Sequence, residues 1–213
     1  LYAPDPATST RANIGGIVAN NSSGSRSIVF GKAIDHIIEM DMVTTTGEIL
    51  HLRELNSAEL QQKIKQRDFE GKVYKTLQTI IDRDRDLIRE RFPTVMRRVS
   101  GYNLDEFIDT ESWNLSKLIC GSEGTLGTIT ELKLNLVELP NKRGVCPVHY
   151  HDRMEAIGQV KHLLQFGPSA IELLDNNVIE IAKNNPSTKS ISNFIKGDPG
   201  AILIVEFFGD TAE

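Results

Sequence analysis

Several protein classes are excluded by what this sequence has little of. Its 213 residues include two cysteines, Cys120 and Cys146. A zinc framework needs more, and more closely spaced, so both are expected to be buried thiols in a reducing compartment. No run of about 18 apolar residues exists to suggest a membrane-spanning helix, and no signal-peptide pattern is visible. Basic residues are outnumbered, with 24 Lys and Arg against 29 Asp and Glu and a net charge of −5. That balance argues against a general nucleic-acid binder, which carries a basic face. The Walker lysine motif, the GxGxxG fingerprint and the nucleophile-elbow serine are missing. So are internal repeats and low-complexity tracts.

What is present is ordinary in bulk and unusual in two places. A hydrophobic fraction of 39% with 25% charged residues is enough for a real core. The stretch "PDPATSTRANIGGIVANNSSGSRSIVFG" (4–31) concentrates Gly, Asn and Ser. Without a Cβ, a glycine lets neighbouring N–H groups approach phosphate oxygens directly, and successive N–H groups make an anion nest. A short helix beginning near Ile14 adds its positive end. The alternative is a flexible Gly/Ser loop. A second Gly-rich turn, "GSEGTLG" (121–127), follows about a hundred residues later between two strands. Two such turns converging at strand ends make a better cleft than either alone. Glu123 is suited either to accept from ribose hydroxyls or to cap its own turn.

The rest reads as follows. "IDHIIEMDMVTTTGEILHL" (34–52) is a hairpin, with Ile38, Met40 and Met42 alternating against Glu39 and Asp41. Residues 53–98 are a helical insert. "NSAE" has the spacing of an N-cap with its capping glutamate, Val73, Leu77, Ile80, Ile81 and Ile88 share a face, and Pro93 ends the helix. "RDRDLIRERF" supplies a solvated charged face. "GYNLDEFI" (101–108) is a turn into a short helix, Leu118–Cys120 a short strand, and Leu132, Leu134 and Leu136 mark another. Pro140–Gly144 is expected to be a linker. Beyond it, strand Val145–Tyr150 precedes a helix with Met154, Ile157, Val160, Leu163 and Leu164 on one face. "AIELLD", a helix near Asn176–Lys183 and the buried strand "AILIVEFFG" follow. His149 and His151 would share one face of a strand, but no third ligand has suitable spacing. His36 and His51 are expected to be structural.

"PDPATSTRANIGGIVANNSSGS", "FGKAIDHIIEMDMVTTTGEIL", "SGYNLDEFI" and "CGSEGTLGTITELKL", in this order, resemble the FAD-linked oxidases of the vanillyl-alcohol oxidase superfamily, with their PCMH-type FAD-binding domain. The branch is similar to the D-lactate, glycolate and D-2-hydroxyglutarate dehydrogenases. Hydride transfer from the α-carbon of a D-2-hydroxy acid to flavin is what the resemblance implies, with a base taking the hydroxyl proton. Electrons then pass to a quinone, cytochrome or iron–sulfur acceptor. By the family pattern Asp5, Pro6, Thr10, Gly15, Gly16, Asn20, Ser22, Ser23 and Gly24 line the pyrophosphate and isoalloxazine. Glu123, Gly124 and Ile129 line the ribose and adenine.

The resemblance also implies a part of a larger enzyme. The family's pyrophosphate loop would precede the PDPA segment, and its catalytic and metal-binding histidines would follow; His149 and His151 do not match them. Any metal ion or iron–sulfur cluster is expected outside this sequence, and the chain alone is expected to hold FAD weakly or not at all. The expected fold class is α+β. Residues 1–140 form the second part of the FAD-binding domain, a mixed or antiparallel sheet flanked by helices, and 145–213 begin an α+β cap domain. An FAD-dependent transferase of the alkyl-dihydroxyacetone-phosphate synthase type and a non-catalytic remnant are the alternatives. The location expected is the cytoplasm, or the periphery of the inner membrane.

Overall fold

The computed structural model describes residues 1–211, the side chain of Lys189 excepted. The helices are α1 (Ile14–Ala19), α2 (Ser27–Phe30), α3 (Ser57–Lys65), α4 (Phe69–Arg91), α5 (Ser116–Ile119), α6 (Arg153–Leu163), α7 (Asn176–Asn184) and α8 (Pro186–Lys189). The strands are β1 (Ile37–Thr44), β2 (Ile49–Leu52), β3 (Glu54–Leu55), β4 (Trp113–Asn114), β5 (Gly127–Leu134), β6 (Lys142–Tyr150), β7 (Ala170–Asp175) and β8 (Ala201–Gly209). The expected α+β class is what forms, and its sheet pairings are antiparallel. The elements divide into two compact units. One holds Leu1–Gly24 and Phe30–Val137; the other holds Ser25–Val29 and the chain from Glu138 onward.

In the first unit the hairpin β1–β2 is extended by β5, giving the order β2-β1-β5. The alternation of β1 shifts phase at its start. A register shift between Ile37 and Glu39 turns Ile37 inward and leaves Ile38 41% exposed, after which Met40 and Met42 are buried at 1%. A bulge of this kind inserts one residue and moves the later side chains to the other face.

The insert folds as two helices. Asn56 Oδ1 accepts from the N–H groups of Ala58 and Glu59, and Glu59 Oε2 accepts from the Asn56 N–H, all at 3.0 Å. This is the capping box read from "NSAE". Asp68 caps α4 by accepting from the Gly71 N–H at 2.8 Å. Tyr74, Leu77, Ile81 and Ile88 turn into the core, while Val73 packs at its margin. The interior of this unit also takes Phe107 and Trp113, whose rings meet edge to face at 5.2 Å. The triplet Leu118–Cys120 is not a strand. Ser116–Ile119 form a helical turn and Cys120 is its C-cap, because a short apolar run has no period that separates the two states.

In the second unit the sheet order is β6-β8-β7, and α6 packs on one face. The buried stripe of α6 differs from the one expected. Ala156, at 0% exposure, meets Ala201, Leu203 and Val205, with Val160 and Leu163 alongside, whereas Met154 is 71% and Ile157 47% exposed. The small Ala156 lets the helix approach the sheet, and its i, i+4, i+7 partners set the face. Lys142–Gly144 pair with Phe207–Gly209, so most of the expected linker is strand. Cys146 is exposed, against expectation, because β6 is an edge strand. His151 lies beyond the end of β6, so it does not share a strand face with His149. Within this unit Arg26 forks onto Glu206 at 2.8 and 3.0 Å. That hydrogen bonding, aided by Ser169, holds the Glu206 carboxyl below its ordinary range. No helix among the described residues is long and apolar enough to cross a membrane.

Ile81 is fully buried and Met154 is not. Ile81→Ala is therefore expected to destabilise the first unit by about 2–5 kcal/mol, and Met154→Ala to stay within about 0.5 kcal/mol of wild type. Urea denaturation read by circular dichroism checks this; equal losses would place the core wrongly.

Candidate functional site

The first Gly-rich stretch folds as a single helical turn with a polar exit. Asn13 caps α1 by accepting from the Gly16 N–H at 2.6 Å, and the first-turn N–H groups of Ile14 and Gly15 have no place in the helical ladder. At the other end Asn20 is the C-cap and Asn21 takes a left-handed φ of 48°. Asn21 is buried, and its Oδ1 accepts from the Ile34 N–H at 3.1 Å. That bond ties the exit of α1 to the segment leading into β1.

The second Gly-rich turn docks on the C-terminal carbonyls of this helix. The Gly121 N–H donates to Val18 C=O at 3.1 Å, and the Glu123 N–H donates to Ala19 C=O at 2.9 Å. The two bends, far apart in sequence, thus share one wall-to-wall cleft of about 350 Å³. Asn13, Gly15, Gly16 and Ala19 line one side; Ser122, Gly124, Gly127, Thr128 and Ile129 line the other. The volume is at the lower end of small-molecule pockets, about 300–1,000 Å³, and suits part of a dinucleotide. Ser122 is 3% exposed and its Oγ has no partner. A buried hydroxyl left unbonded is costly; the residue lines the cleft while its Oγ lies beneath the surface.

Of the residues expected to bind cofactor, Gly15, Gly16, Gly124 and Ile129 line this cleft. Glu123 stands beside them, exposed, with φ of 54°. Asn20 is exposed and its Nδ2 donates to Ser22 Oγ at 3.4 Å. Ser22, Ser23 and Gly24 are not in the lining. Ser22 spends its backbone on the protein, donating to Ile17 C=O and accepting from the Ala33 N–H. Gly24 is buried against the Pro4 and Asp5 carbonyls. Asp5 has φ of 28° and is half-buried, Pro6 is buried, and Thr10 is exposed in the turn preceding α1. Sequence reasoning missed Ser122, and also Arg97, whose Nη2 donates to Gly24 C=O at 2.9 Å. A polar residue inside a Gly-rich turn was the only available signal for Ser122.

Other hollows are larger and carry less chemistry. One of about 540 Å³ is lined by Glu39, Arg53, Glu54, Glu106 and Lys117. Its cations are already taken, Arg53 by Glu59 at 2.8 Å and Lys117 by Glu106 at 2.6 Å. Cys120 is buried and its thiol is pushed up to about 12 by desolvation, with the Asp35 charge adding to it, so it stays a neutral thiol. His36 is buried with Nε2 2.7 Å from Phe30 C=O, and His51 Nδ1 sits 2.9 Å from Asp41 Oδ1. His149 Nε2 accepts from the Lys196 N–H at 3.1 Å. Among the described residues no group of His, Cys, Asp and Glu is placed to hold a metal ion.

Residues 1–53 match the family model described as "FAD binding domain". A D-2-hydroxyglutarate dehydrogenase of Pseudomonas putida is 33% identical over 99% of this chain, which spans 21% of that relative's length. A D-lactate dehydrogenase of Anaerostipes hadrus is 26% identical over the whole chain and 35% of its own length. Among solved structures, an alkyldihydroxyacetonephosphate synthase superposes with a TM-score of 0.59 at 18% identity, over 98% of this chain and 30% of that one. That last likeness concerns the fold alone.

A Cβ on Gly24 would overlap backbone carbonyls of Pro4 and Asp5, while one on Gly124 meets open space but requires a strained φ of 76°. Gly24→Ala is expected to cost about 1–3 kcal/mol and Gly124→Ala about 1–2 kcal/mol. Thermal unfolding of both variants checks this. A neutral Gly24→Ala would mean that the stretch does not pack on Pro4–Asp5.

Proposed function

For a chain that belongs to the FAD-linked dehydrogenases and oxidases, we propose that the cleft between α1 and the Gly121–Gly127 turn holds part of FAD. The chain spans about a fifth of the length of the D-2-hydroxyglutarate dehydrogenases it resembles. The complete reaction is proposed for the polypeptide in which it works: oxidation of a D-2-hydroxy acid. The relatives matched along the whole chain favour 2-hydroxyglutarate, then lactate.

The observation that carries this reading is the cleft itself. A group fits it that has hydroxyls or phosphate oxygens to satisfy and a narrow body to pass between glycines. Ser122 contributes to the cleft wall, and the first-turn N–H groups of α1 are donors for an anionic oxygen. Gly15 and Gly124 keep side chains out of the way. Ile129, half-buried on β5, offers an apolar surface for a flat ring. Glu123, on the rim, can accept from a ribose hydroxyl. When bound, FAD supplies a two-electron acceptor for the hydride that leaves the α-carbon of the substrate. This chain's residues hold and orient; within the first unit, His36 and His51 do not line the cleft.

Asp5, Pro6, Thr10, Asn20, Ser22, Ser23 and Gly24 shape the entry to the same stretch. Asp5, Pro6 and Thr10 lie before α1, and Asn20, Ser22, Ser23 and Gly24 form its exit, with Arg97 bracing Gly24. We assign the first unit to FAD binding and the second to the start of a substrate-covering domain; the last two residues of the latter lie outside the described residues. A quinone, cytochrome or iron–sulfur centre is the proposed electron acceptor. The transferase reading is not favoured, because its support is a likeness of fold at 18% identity.

Anaerobic addition of D-2-hydroxyglutarate, D-lactate or glycolate to the flavin-loaded full polypeptide tests the reaction. Bleaching of the flavin absorbance is expected with a D-2-hydroxy acid and not with its L enantiomer. A flavin that no 2-hydroxy acid reduces would refute dehydrogenation.

A further inference from the structure

The motif "GYNLDEF" is given no role by the cleft lining, yet two of its side chains reach the turn that forms one wall. We propose that Tyr102 and Asn103 are positioning residues that clamp the Gly121–Gly127 turn in its ligand-holding shape. The inference rests on the flavin reading of the cleft and names what keeps that cleft open.

The turn needs outside support. Gly121, Glu123 and Gly124 have φ of 80°, 54° and 76°, and Glu123 carries a Cβ that makes such a φ unfavourable. Two peptide planes decide the shape. The first joins Cys120 to Gly121. Its N–H donates to Val18 C=O at 3.1 Å, and its C=O accepts from Asn103 Nδ2 at 2.7 Å. The second joins Ser122 to Glu123. Its N–H donates to Ala19 C=O at 2.9 Å, and its C=O accepts from Thr125 Oγ1 at 2.6 Å. Each plane is gripped at both ends, by α1 on one side and by a side chain on the other.

Tyr102 completes the second grip. Its OH lies 2.9 Å from Thr125 Oγ1. The single hydroxyl proton of Thr125 is committed to Ser122 C=O, so Tyr102 must donate and Thr125 accept. The result is a directed relay from Tyr102 through Thr125 to the carbonyl of Ser122, each bond polarising the next. Asn103 is fixed in turn. It is 2% exposed, its second Nδ2 proton goes to Lys117 C=O at 3.0 Å, and its Oδ1 accepts from Arg98 Nη1 at 3.3 Å. Arg98 is pinned by Asp105 at 2.5 Å and lies over the Phe92 ring at 4.9 Å. The end of the helical insert is thereby connected to the Cys120 carbonyl, at the start of the turn that lines the cleft.

Tyr102→Phe removes one hydroxyl from a side chain that is 42% exposed and leaves the fold intact. A net hydrogen bond of about 0.5–1.5 kcal/mol predicts that the Ser122–Thr125 amides of the ligand-free chain exchange roughly 2- to 13-fold faster, while α4 amides are unchanged. Thr125→Val, which removes both bonds, is expected to exceed it, Thr125→Ser to restore wild-type exchange, and the Tyr102→Phe, Thr125→Val double variant to exchange no faster than Thr125→Val alone. Titration of the full polypeptide with FAD should show weaker binding by a similar factor in Tyr102→Phe. Unchanged exchange in Tyr102→Phe, or multiplied effects in the double variant, would overturn the clamp. Failure of the wild-type full polypeptide to take FAD would count against the flavin reading, and exchange alone would then decide the clamp.

Discussion

Everything in the candidate site depends on two backbone hydrogen bonds, from Gly121 to Val18 and from Glu123 to Ala19. The second satisfies the Ala19 carbonyl at the end of a six-residue helix, and the first adds a donor to Val18 C=O, which also accepts from the Asn21 N–H. A helix this short does not persist by itself, because nucleation fixes several dihedrals for each early hydrogen bond. Docking the turn on α1 supplies the missing bond and joins two Gly-rich bends into one cleft. The glycines matter because they permit left-handed backbone in the turn and keep side chains out of the space between the walls.

The rest of the first unit serves that contact. The hairpin β1–β2 and strand β5 carry the turn at one end, since Gly127 begins β5 and pairs with Thr44. The helical insert packs Tyr74, Leu77, Ile81 and Ile88 into the same core as Ile17, Val18 and Ile119. Its exit segment then runs back along the first stretch, through Arg97 on Gly24 and through Lys32 Nζ donating to Met96 C=O at 3.0 Å. An insert that looks peripheral in the sequence therefore supports both walls. The same packing explains why Cys120, close to the cleft, is structural: it is wholly buried and neutral.

Local chemistry was legible in the sequence, and cross-chain geometry was not. The capping box at Asn56 and Glu59, the β1–β2 hairpin and the helical turn after Asn13 each follow from a few adjacent residues, and the structure forms all three. The convergence of the two Gly-rich bends was suggested by their composition, because both needed a surface to lie against. Ser122 escaped notice: nothing in "GSEG" distinguishes a buried, unpartnered hydroxyl from a solvated one. The reach of Tyr102 to Thr125 spans 23 residues and has no periodic signature. Leu118–Cys120 and the stripe of α6 went astray for a related reason. Apolar residues reveal that burial occurs, but the partner surface decides which of them it takes.

The central claim is that one ligand touches both bends at once, and amide mapping of the full polypeptide with FAD tests it most directly. The account predicts that rising FAD perturbs and protects the amides of Ile14–Gly16 and of Ser122–Gly124 together, with a single saturation curve. Perturbation of only one bend, or of the hollow around Arg53 and Lys117 instead, would contradict it.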